Sequence, residues 1–423
     1  MNHMHLKNIS FAILLMIFSI GVKAQFKIDA QYRSRLEFRD GYQKLASDGS
    51  TPAFFISQRA RLSFSYETPN LRVKISPQDV RTWGDQPNMS ATGPADNNTF
   101  DLFEGYAELK LGKAGWMSVG RQQLKYDNER ILGARNWGQS GMAYDALVFK
   151  LKLSEWNLHM GTSWNSLAEN VSNNLYPSNR IKSFNFLWLN RKFNDNFQLS
   201  LLHVASGVTQ TDTTNTLNFR QTTGVYTEYK SGVFSIWGDA YYQYGSNKSG
   251  LDVNAFLAQA EASCKLGKIT PGAGYGYVSG SNIVGAGMKQ DKVFDILYGA
   301  RHRYFGLLDY FRVYSTDTKQ GGLTDLNFFV DYKATKTLSF RNAGHFLGLA
   351  QTNTATPADK YLGYENDLLF NYKFADWGAL EGGYFFIVPT DALKTLQGVT
   401  NDKFSHYFYM MLTISPTIFK QAQ

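Results

Sequence analysis

Cationic side chains recur at every second position in three segments of the N-terminal part of the chain. Residues 27–39 place Arg33, Arg35 and Arg39 on one face of an extended chain, and Ile28, Leu36 and Phe38 on the other. The same alternation recurs with Arg59 and Arg61 in residues 56–67 and with Arg72 and Lys74 in residues 71–76. A guanidinium presents a planar fork that meets a carboxylate with two hydrogen bonds. This residue type at this spacing predicts a wall that attracts anions.

The alternation also predicts the elements that carry these cations. Successive side chains of a β-strand point to opposite faces of the sheet. Alternation sustained over about ten residues, repeated in many segments, is typical of strands in a transmembrane barrel. In such a barrel the apolar face meets lipid and the charged face meets the lumen.

The connections between the alternating segments differ in length in a regular way. Eight short turns alternate with nine long loops along the chain. The long loops are residues 40–53, 84–99, 126–142, 165–180, 207–217, 245–253, 280–322, 350–360 and 389–402. This pattern predicts an all-β fold: a transmembrane antiparallel β-barrel of about 18 strands with short periplasmic turns and long extracellular loops. A soluble β-sandwich is disfavoured, because it has no reason to separate its loops by length.

One long stretch needs a choice between strand and loop. Residues 291–316 contain enough apolar residues for two further strands, but these strands would break the alternation of short and long connections. We therefore predict that residues 280–322 form one large loop that folds partly into the lumen.

The first 24 residues have the features of a secretory signal peptide. Lys7 precedes an apolar core at residues 9–20, and Val22-Lys23-Ala24 is a suitable cleavage site. The apolar core is too short to cross a bilayer as a helix, and no later stretch reaches about 18–20 continuous apolar residues. The predicted organisation is a signal peptide at 1–24 and a single barrel domain at 25–423, located in the outer membrane of a Gram-negative cell.

The aromatic content agrees with a membrane barrel. Phe, Trp and Tyr make up 15% of the residues. Five tryptophans, Trp83, Trp116, Trp156, Trp164 and Trp377, fall at proposed strand ends. Aromatic girdles lie at both membrane interfaces in such barrels.

Several other classes of function are disfavoured. The single cysteine, Cys264, excludes an intrachain disulfide framework. The histidines stand in no recognisable Ser/His arrangement such as GxSxG, so we expect no enzyme activity and no cofactor. Asp96-Asn97-Asn98 could supply oxygen ligands to Ca²⁺, but a solvated loop is the simpler interpretation, and no metal site is predicted. A TonB-dependent receptor would need a plug domain before the first strand, but the first predicted strand begins only a residue or two after the proposed cleavage site.

Four segments of the chain resemble the alginate export family of outer-membrane porins. They are ISQRARLSFSYE (56–67), KISPQDVRTWGD (74–85), GRQQLKYDNERILGARNWGQSGMAYDAL (120–147) and LYGARHRYFGLLDYF (297–311). The resemblance implies an eighteen-stranded barrel with an arginine-rich constriction through which an acidic polysaccharide leaves the cell.

The resemblance also implies roles for particular residues. The conduit-lining cations would be Arg35, Arg59, Arg61, Arg81, Arg121 and Arg130, and the balancing carboxylates would be Asp79, Glu104 and Asp145. His302 and Asp309, in the long-loop motif, would close or narrow the pore. The alternative for every wall arginine is a structural role, since ion-pair ladders in porins also stabilise the barrel.

The sequence therefore predicts a passive conduit for anionic solutes, most sharply an acidic exopolysaccharide such as an alginate-like polyuronate. The alternatives are a general or small-anion porin serving uptake, and a structural or adhesive barrel without transport. The expected partners are outer-membrane lipid, the anionic polysaccharide or small anions, and periplasmic export partners. No nucleic acid is expected, because the basic residues alternate into the barrel. A monomer is predicted.

Overall fold

The computed structural model describes residues 24–85 and 100–421. The predicted signal peptide lies outside the described residues except for Ala24, and so does the Asp96-Asn97-Asn98 run. The described chain forms one closed antiparallel sheet in which each strand pairs with the next along the sequence.

Nineteen strand segments make up this sheet. They are β1 (Gln25–Asp40), β2 (Ala53–Glu67), β3 (Leu71–Thr82), β4 (Phe100–Leu111), β5 (Gly115–Gln122), β6 (Tyr144–Leu153), β7 (Trp156–Trp164), β8 (Ser183–Lys192), β9 (Phe197–Thr209), β10 (Leu217–Ser231), β11 (Phe234–Gly245), β12 (Ala255–Cys264), β13 (Ile269–Val278), β14 (Leu323–Lys333), β15 (Leu338–Gly348), β16 (Tyr361–Ala375), β17 (Gly378–Pro389), β18 (Ser405–Ile414) and β19 (Thr417–Lys420).

The barrel closes where β1 meets the last two segments. Tyr32 pairs with Ile414 of β18, and Lys27 pairs with Lys420 of β19. Pro416 interrupts the strand between them, since proline has no N–H to donate to a ladder, although its carbonyl accepts a hydrogen bond from the Ala30 N–H at 3.0 Å. β18 and β19 therefore run as one strand of the wall, and the prediction of an 18-stranded barrel is confirmed.

The two faces of the sheet are sorted as the alternation predicts. Apolar side chains such as Leu62, Ile75 and Val119 are exposed on the outside. The inward faces of β1 and β2 instead bury charge, with Arg33 3% exposed and Arg59 1% exposed. A soluble sandwich would show the opposite arrangement.

The five tryptophans predicted at strand ends all lie there. Trp116 is near the start of β5, Trp156 and Trp164 begin and end β7, Trp83 follows β3, and Trp377 lies between β16 and β17. Indole rings at these heights fit the two membrane interfaces.

Two loops fold into the lumen. The short lumen loop (residues 123–143) and the long lumen loop (residues 279–322) contain no strand, and an isolated bridge between Leu132 and Tyr298 joins them. Leu132 of the short loop and Phe294 and Leu308 of the long loop are fully buried, in one cluster with inward-facing wall residues such as Leu257. None of the helices among residues 24–85 and 100–421 is long and apolar enough to cross a membrane.

Gly306 fixes the depth of the long lumen loop. Its φ of +85° belongs to the left-handed region, and a Cβ at this position would lie 2.4 Å from the carboxyl group of Glu365 on β16. Only glycine allows the loop backbone to approach the wall this closely.

We predict that Gly306→Ala undocks the long lumen loop. The added methyl group must displace a buried carboxylate, which costs about 1–3 kcal/mol beyond the left-handed strain, and about 1.4 kcal/mol is a tenfold change in population. Trypsin cleavage within residues 289–312 of the folded protein should therefore accelerate by roughly tenfold or more.

Gly285→Ala is the matched control, because Gly285 lies in the same loop with φ +73° and a Cβ added there would meet nothing within 4 Å. Equal cleavage rates in the two variants would contradict the docking role of Gly306.

Candidate functional site: a basic cleft between two lumen loops

Part of the charge on the lumen wall is paired in an ion-pair ladder. Arg35 and Arg39 contact Glu37 at 2.9 and 2.6 Å. Lys74 on β3 contacts Glu104 on β4 at 2.6 Å, and Lys150 continues the ladder to Glu108 at 2.5 Å. The predicted residues Arg35 and Glu104 thus face the lumen, with their charges compensated by neighbours.

A second group of wall arginines binds neutral oxygens of the short lumen loop. We call residues 136–139 the strap. Arg33 donates to the Asn136 carbonyl at 2.7 Å and to the Gly138 carbonyl at 2.9 Å, and Arg59 donates to the Gln139 carbonyl at 2.9 Å. These guanidinium groups hold the strap against β1 and β2.

Arg61 also faces the lumen with neutral partners. Its guanidinium donates to Gln78 Oε1 at 2.6 Å and lies 3.4 Å from the centroid of the Phe103 ring. The prediction that Arg35, Arg59 and Arg61 point inward therefore agrees with the geometry, but their contacts are mainly those of anchors.

On the other side of the β1–β18 seam, carboxylates of β16 hold the long lumen loop. Glu365 Oε1 accepts the Leu308 N–H at 2.7 Å, and Asp367 Oδ2 accepts the Leu307 N–H at 3.1 Å. His345 lies between Asp325 and Asp367, with ring nitrogens 2.9 and 3.6 Å from their carboxylates. This acidic wall binds amides, as the basic wall binds carbonyls.

The two lumen loops meet at an aromatic stack. The Trp137 ring lies 3.8 Å from the His302 ring, centroid to centroid, and the Arg35 guanidinium lies 3.9 Å from the Trp137 ring centroid. His302 Nδ1 is 2.9 Å from Asp309 Oδ1, and the Tyr42 hydroxyl donates to Asp309 Oδ2 at 2.5 Å. His302 and Asp309 thus join the loops to each other and to the loop after β1. Their role in closing or narrowing the pore stays a prediction.

Beside this stack lies a cleft of about 370 Å³ that we call the basic cleft. Its cationic lining residues are Arg135, Arg301, Arg303 and Arg312. Of these four arginines, only Arg303 has a carboxylate of the described residues within ion-pair distance, that of Glu129 at 3.5 Å. Burial and the nearby Arg301 lower the pKa of Arg135 to about 10, so it remains cationic at neutral pH. The carboxylates of Glu129 and Asp309 also line the cleft, so its four arginines leave an excess of positive charge.

Arg303 also lines a second cavity of about 340 Å³. We call this cavity the lower chamber. Its lining includes Trp237, Glu261 and Arg341, which lie close to the short-turn ends of their strands, so the chamber lies toward the periplasmic side. A solute moving between the two cavities would pass the Arg303 side chain.

Four of the predicted conduit residues do not face the lumen. Asp79 and Arg81 pair in register with Ala60 and Gln58, on the outer face of the sheet. Their side chains form an ion pair with each other. The prediction that they line the conduit is corrected by the strand register.

Arg121 and Asp145 lie opposite each other on β5 and β6, also on the outer face. Arg121 shares this face with exposed Val119, whereas Ser118 and Gln122 are buried on the lumen side. The two side chains contact each other at 2.9 Å near the extracellular ends of their strands. Their predicted place in the conduit is likewise corrected.

Arg130 occupies the packed interior of the short lumen loop. It is 1% exposed, and its guanidinium lies 4.4 Å from the Tyr304 ring centroid and 4.7 Å from that of Phe305. It therefore supports the contact between the two loops from inside and is not part of the basic cleft lining.

None of the four arginines of the basic cleft is among the residues predicted from the sequence. Arg135 lies in the string LGARNW, and Arg301 and Arg303 flank His302 in GARHRYF. The available signal for these three was their position inside two of the segments that carry the family resemblance, and Arg312 directly follows the second segment. No group of three or more His, Cys, Asp or Glu side chains among residues 24–85 and 100–421 has the geometry of a metal site.

Comparisons with known proteins agree with this architecture. The model of the alginate export family matches residues 24–405. Among solved structures, OccK3 (OpdO) of Pseudomonas aeruginosa is 14% identical, with a TM-score of 0.61, over 93% of this chain and 96% of that one. OccAB4 of Acinetobacter baumannii is 14% identical, with a TM-score of 0.62, over 94% and 99%. These likenesses concern the fold. No curated protein matches the sequence.

The outward position of Arg81 and Arg121 predicts that neither sets ion selectivity. Arg81→Ala and Arg121→Ala should leave the anion-to-cation permeability ratio unchanged, because the sheet separates both guanidinium groups from the lumen. Reversal potentials in planar bilayers under a salt gradient measure this ratio. A clear fall in either variant would show that these side chains reach the lumen.

Proposed function

Since the chain belongs to the alginate export family, we propose that it is a passive outer-membrane conduit for anionic solutes and that its cargo is an acidic polysaccharide. The observation that carries this proposal is the basic cleft between the two lumen loops. Four arginines converge there, and Glu129 is the one carboxylate paired with any of them in the described part of the chain.

The cleft supports anion passage by electrostatics. Fixed positive charge inside a low-dielectric wall raises the local concentration of anions, and rings of Arg and Lys are the usual device of anion pores. Arg303 serves as the transfer point, because it lines both the basic cleft and the lower chamber. A polymer with one carboxylate per sugar could pass from the cleft cations to Arg303 and onward.

Release is as important as attraction. Conduction requires that each site bind weakly enough for the ion to leave. Glu129 lies 3.5 Å from Arg303 and 3.2 Å from Lys125, so it competes with a solute for Arg303. We assign Glu129 the role of preventing tight binding.

A small-anion porin is the second candidate. The cavities of about 370 and 340 Å³ each have room for a molecule of roughly monosaccharide size. This favours small organic anions if the loops stay in place during transport. Block of the current by a polyuronate separates the two candidates, since only a polymer conduit admits the chain.

The remaining expectations follow from this function. Residues 1–24 would direct secretion of the chain across the inner membrane and then be removed, the protein would act without catalysis as a monomer, and export of the polymer would need periplasmic partners. Each of these is part of the proposal.

We predict that Arg301→Gln, Arg303→Gln and Arg312→Gln together reduce anion selectivity. At about 10 Å and an effective dielectric constant of about 40, each charge attracts a passing anion by roughly 0.8 kcal/mol, or about fourfold. With partial screening by salt, the anion-to-cation permeability ratio should fall on the order of tenfold.

The matched control is Lys113→Gln, Lys268→Gln and Lys336→Gln. It removes the same charge from exposed short turns outside the lumen. The reversal potential under a salt gradient should stay near that of the unaltered protein. If both triple variants changed selectivity equally, the cleft would not be the filter.

A further inference from the structure

Arg33 and Arg59 form an unusual pair on the lumen wall. They lie directly opposite each other in the β1–β2 ladder, and they are 3% and 1% exposed. Like charges directly opposite each other destabilise a sheet, and a buried charge needs compensation by an ionic partner or by several hydrogen bonds. Among residues 24–85 and 100–421, no carboxylate lies within 4.0 Å of either guanidinium.

Neutral oxygens satisfy this pair, and most of them belong to the strap. Arg33 donates to Gln139 Oε1 at 2.8 Å as well as to the Asn136 and Gly138 carbonyls. Arg59 donates to the Gln139 carbonyl and, at 3.2 Å, to Asn136 Oδ1, while a contact of 2.5 Å joins it to Gln31 on the wall. Arg59 Nε is buried without a hydrogen-bond partner.

The neighbouring cations show that this wall pairs charges elsewhere. Arg35 and Arg39 share Glu37, and Lys74 has Glu104. Two adjacent guanidinium groups whose hydrogen bonds go only to amide and carbonyl oxygens are therefore a distinct feature of this part of the lumen, although Glu381 lies near enough to Arg33 for a longer-range attraction.

We infer that Arg33 and Arg59 form a carboxylate-binding subsite and that the strap occupies it as a displaceable substitute. This inference rests on the proposed function as an anion conduit. Hydrogen bonds to an ionised acceptor are roughly twice as strong as those between neutral groups. A solute carboxylate is thus a better partner for the two guanidinium forks than the strap oxygens.

The position of the strap explains how a solute would reach this subsite. One side of the strap lines the basic cleft through Asn136, Trp137 and Gly138. The backbone carbonyls of the same residues accept hydrogen bonds from Arg33 or Arg35 of the wall. The strap therefore separates the cleft from the arginine pair. Its release would also withdraw Trp137 from between Arg35 and His302, which widens the lumen.

A reversible lock on the strap tests this inference. Gln139 Nε2 lies 3.0 Å from Ser57 Oγ, so the two positions are neighbours, and a short bis-methanethiosulfonate crosslinker can join strap and wall through Ser57→Cys and Gln139→Cys in a Cys264→Ser background. The linker makes up for the shorter cysteine side chains, and dithiothreitol removes it. Single-channel current is recorded while digalacturonate, a uronate dimer, is added. We expect a stepwise increase in current in the variant without the crosslinker, none after crosslinking, and its return with dithiothreitol.

A second variant tests the subsite without a crosslink. Arg33→Met with Arg59→Met keeps the aliphatic volume and removes both forks, and heat-modifiability on gels shows that the barrel is folded. The uronate-induced step should be lost. Digalactose, the neutral counterpart, should give no step in any variant.

The outcomes separate this inference from the proposed function. A step that persists in the crosslinked variant or in the double methionine variant would overturn the subsite, and so would an unaltered protein that is anion-selective but shows no step. An unaltered protein without anion selectivity would overturn the conduit itself.

Discussion

Backbone polar groups that enter the lumen must find partners, and the wall has no free backbone groups to offer. The N–H and C=O groups of each wall strand are already hydrogen-bonded to its two neighbouring strands. Where the loops folded into the barrel meet the wall strands, they therefore bind inward-facing side chains. Arginines of β1 and β2 supply donors for the carbonyls of the strap. Carboxylates of β16 supply acceptors for the amides of the long lumen loop.

This requirement explains why the lumen charges are sorted by position. The basic wall lies where the short loop presents carbonyls, and the acidic wall lies where the long loop presents N–H groups. Most of these charged wall side chains thus form ion pairs with each other or hydrogen bonds to the loops. The cations left for a solute, Arg301 and Arg312 above all, are on the loops themselves, where they need not serve as anchors.

The architecture was accessible from the sequence because a barrel repeats two simple signals, period-two alternation and regular loop lengths. The site was less accessible. Arg121 was assigned to the conduit through the family resemblance, although its parity in β5 matches Val119 and places it outside. Asp79 and Arg81 share the parity of Ile75 in the same way. The arginines of the basic cleft lie on loops without periodicity, and only the folded contacts between two distant segments bring them together.

The seam between β1 and β18 has a consequence for assembly. Its paired residues, such as Tyr32 and Ile414, are separated by almost the whole chain, so this junction forms only after the intervening strands are in place. The strap binds β1, and the long lumen loop binds β16, which places both loops close to the seam. The two loops also contact each other through the bridge between Leu132 and Tyr298, so together they connect β1 to β16 across the seam. Until closure, β1 presents an unpaired edge to other chains, so loops that dock before closure would hold the two sides of the seam together and shorten the exposure of the nascent barrel to misassembly.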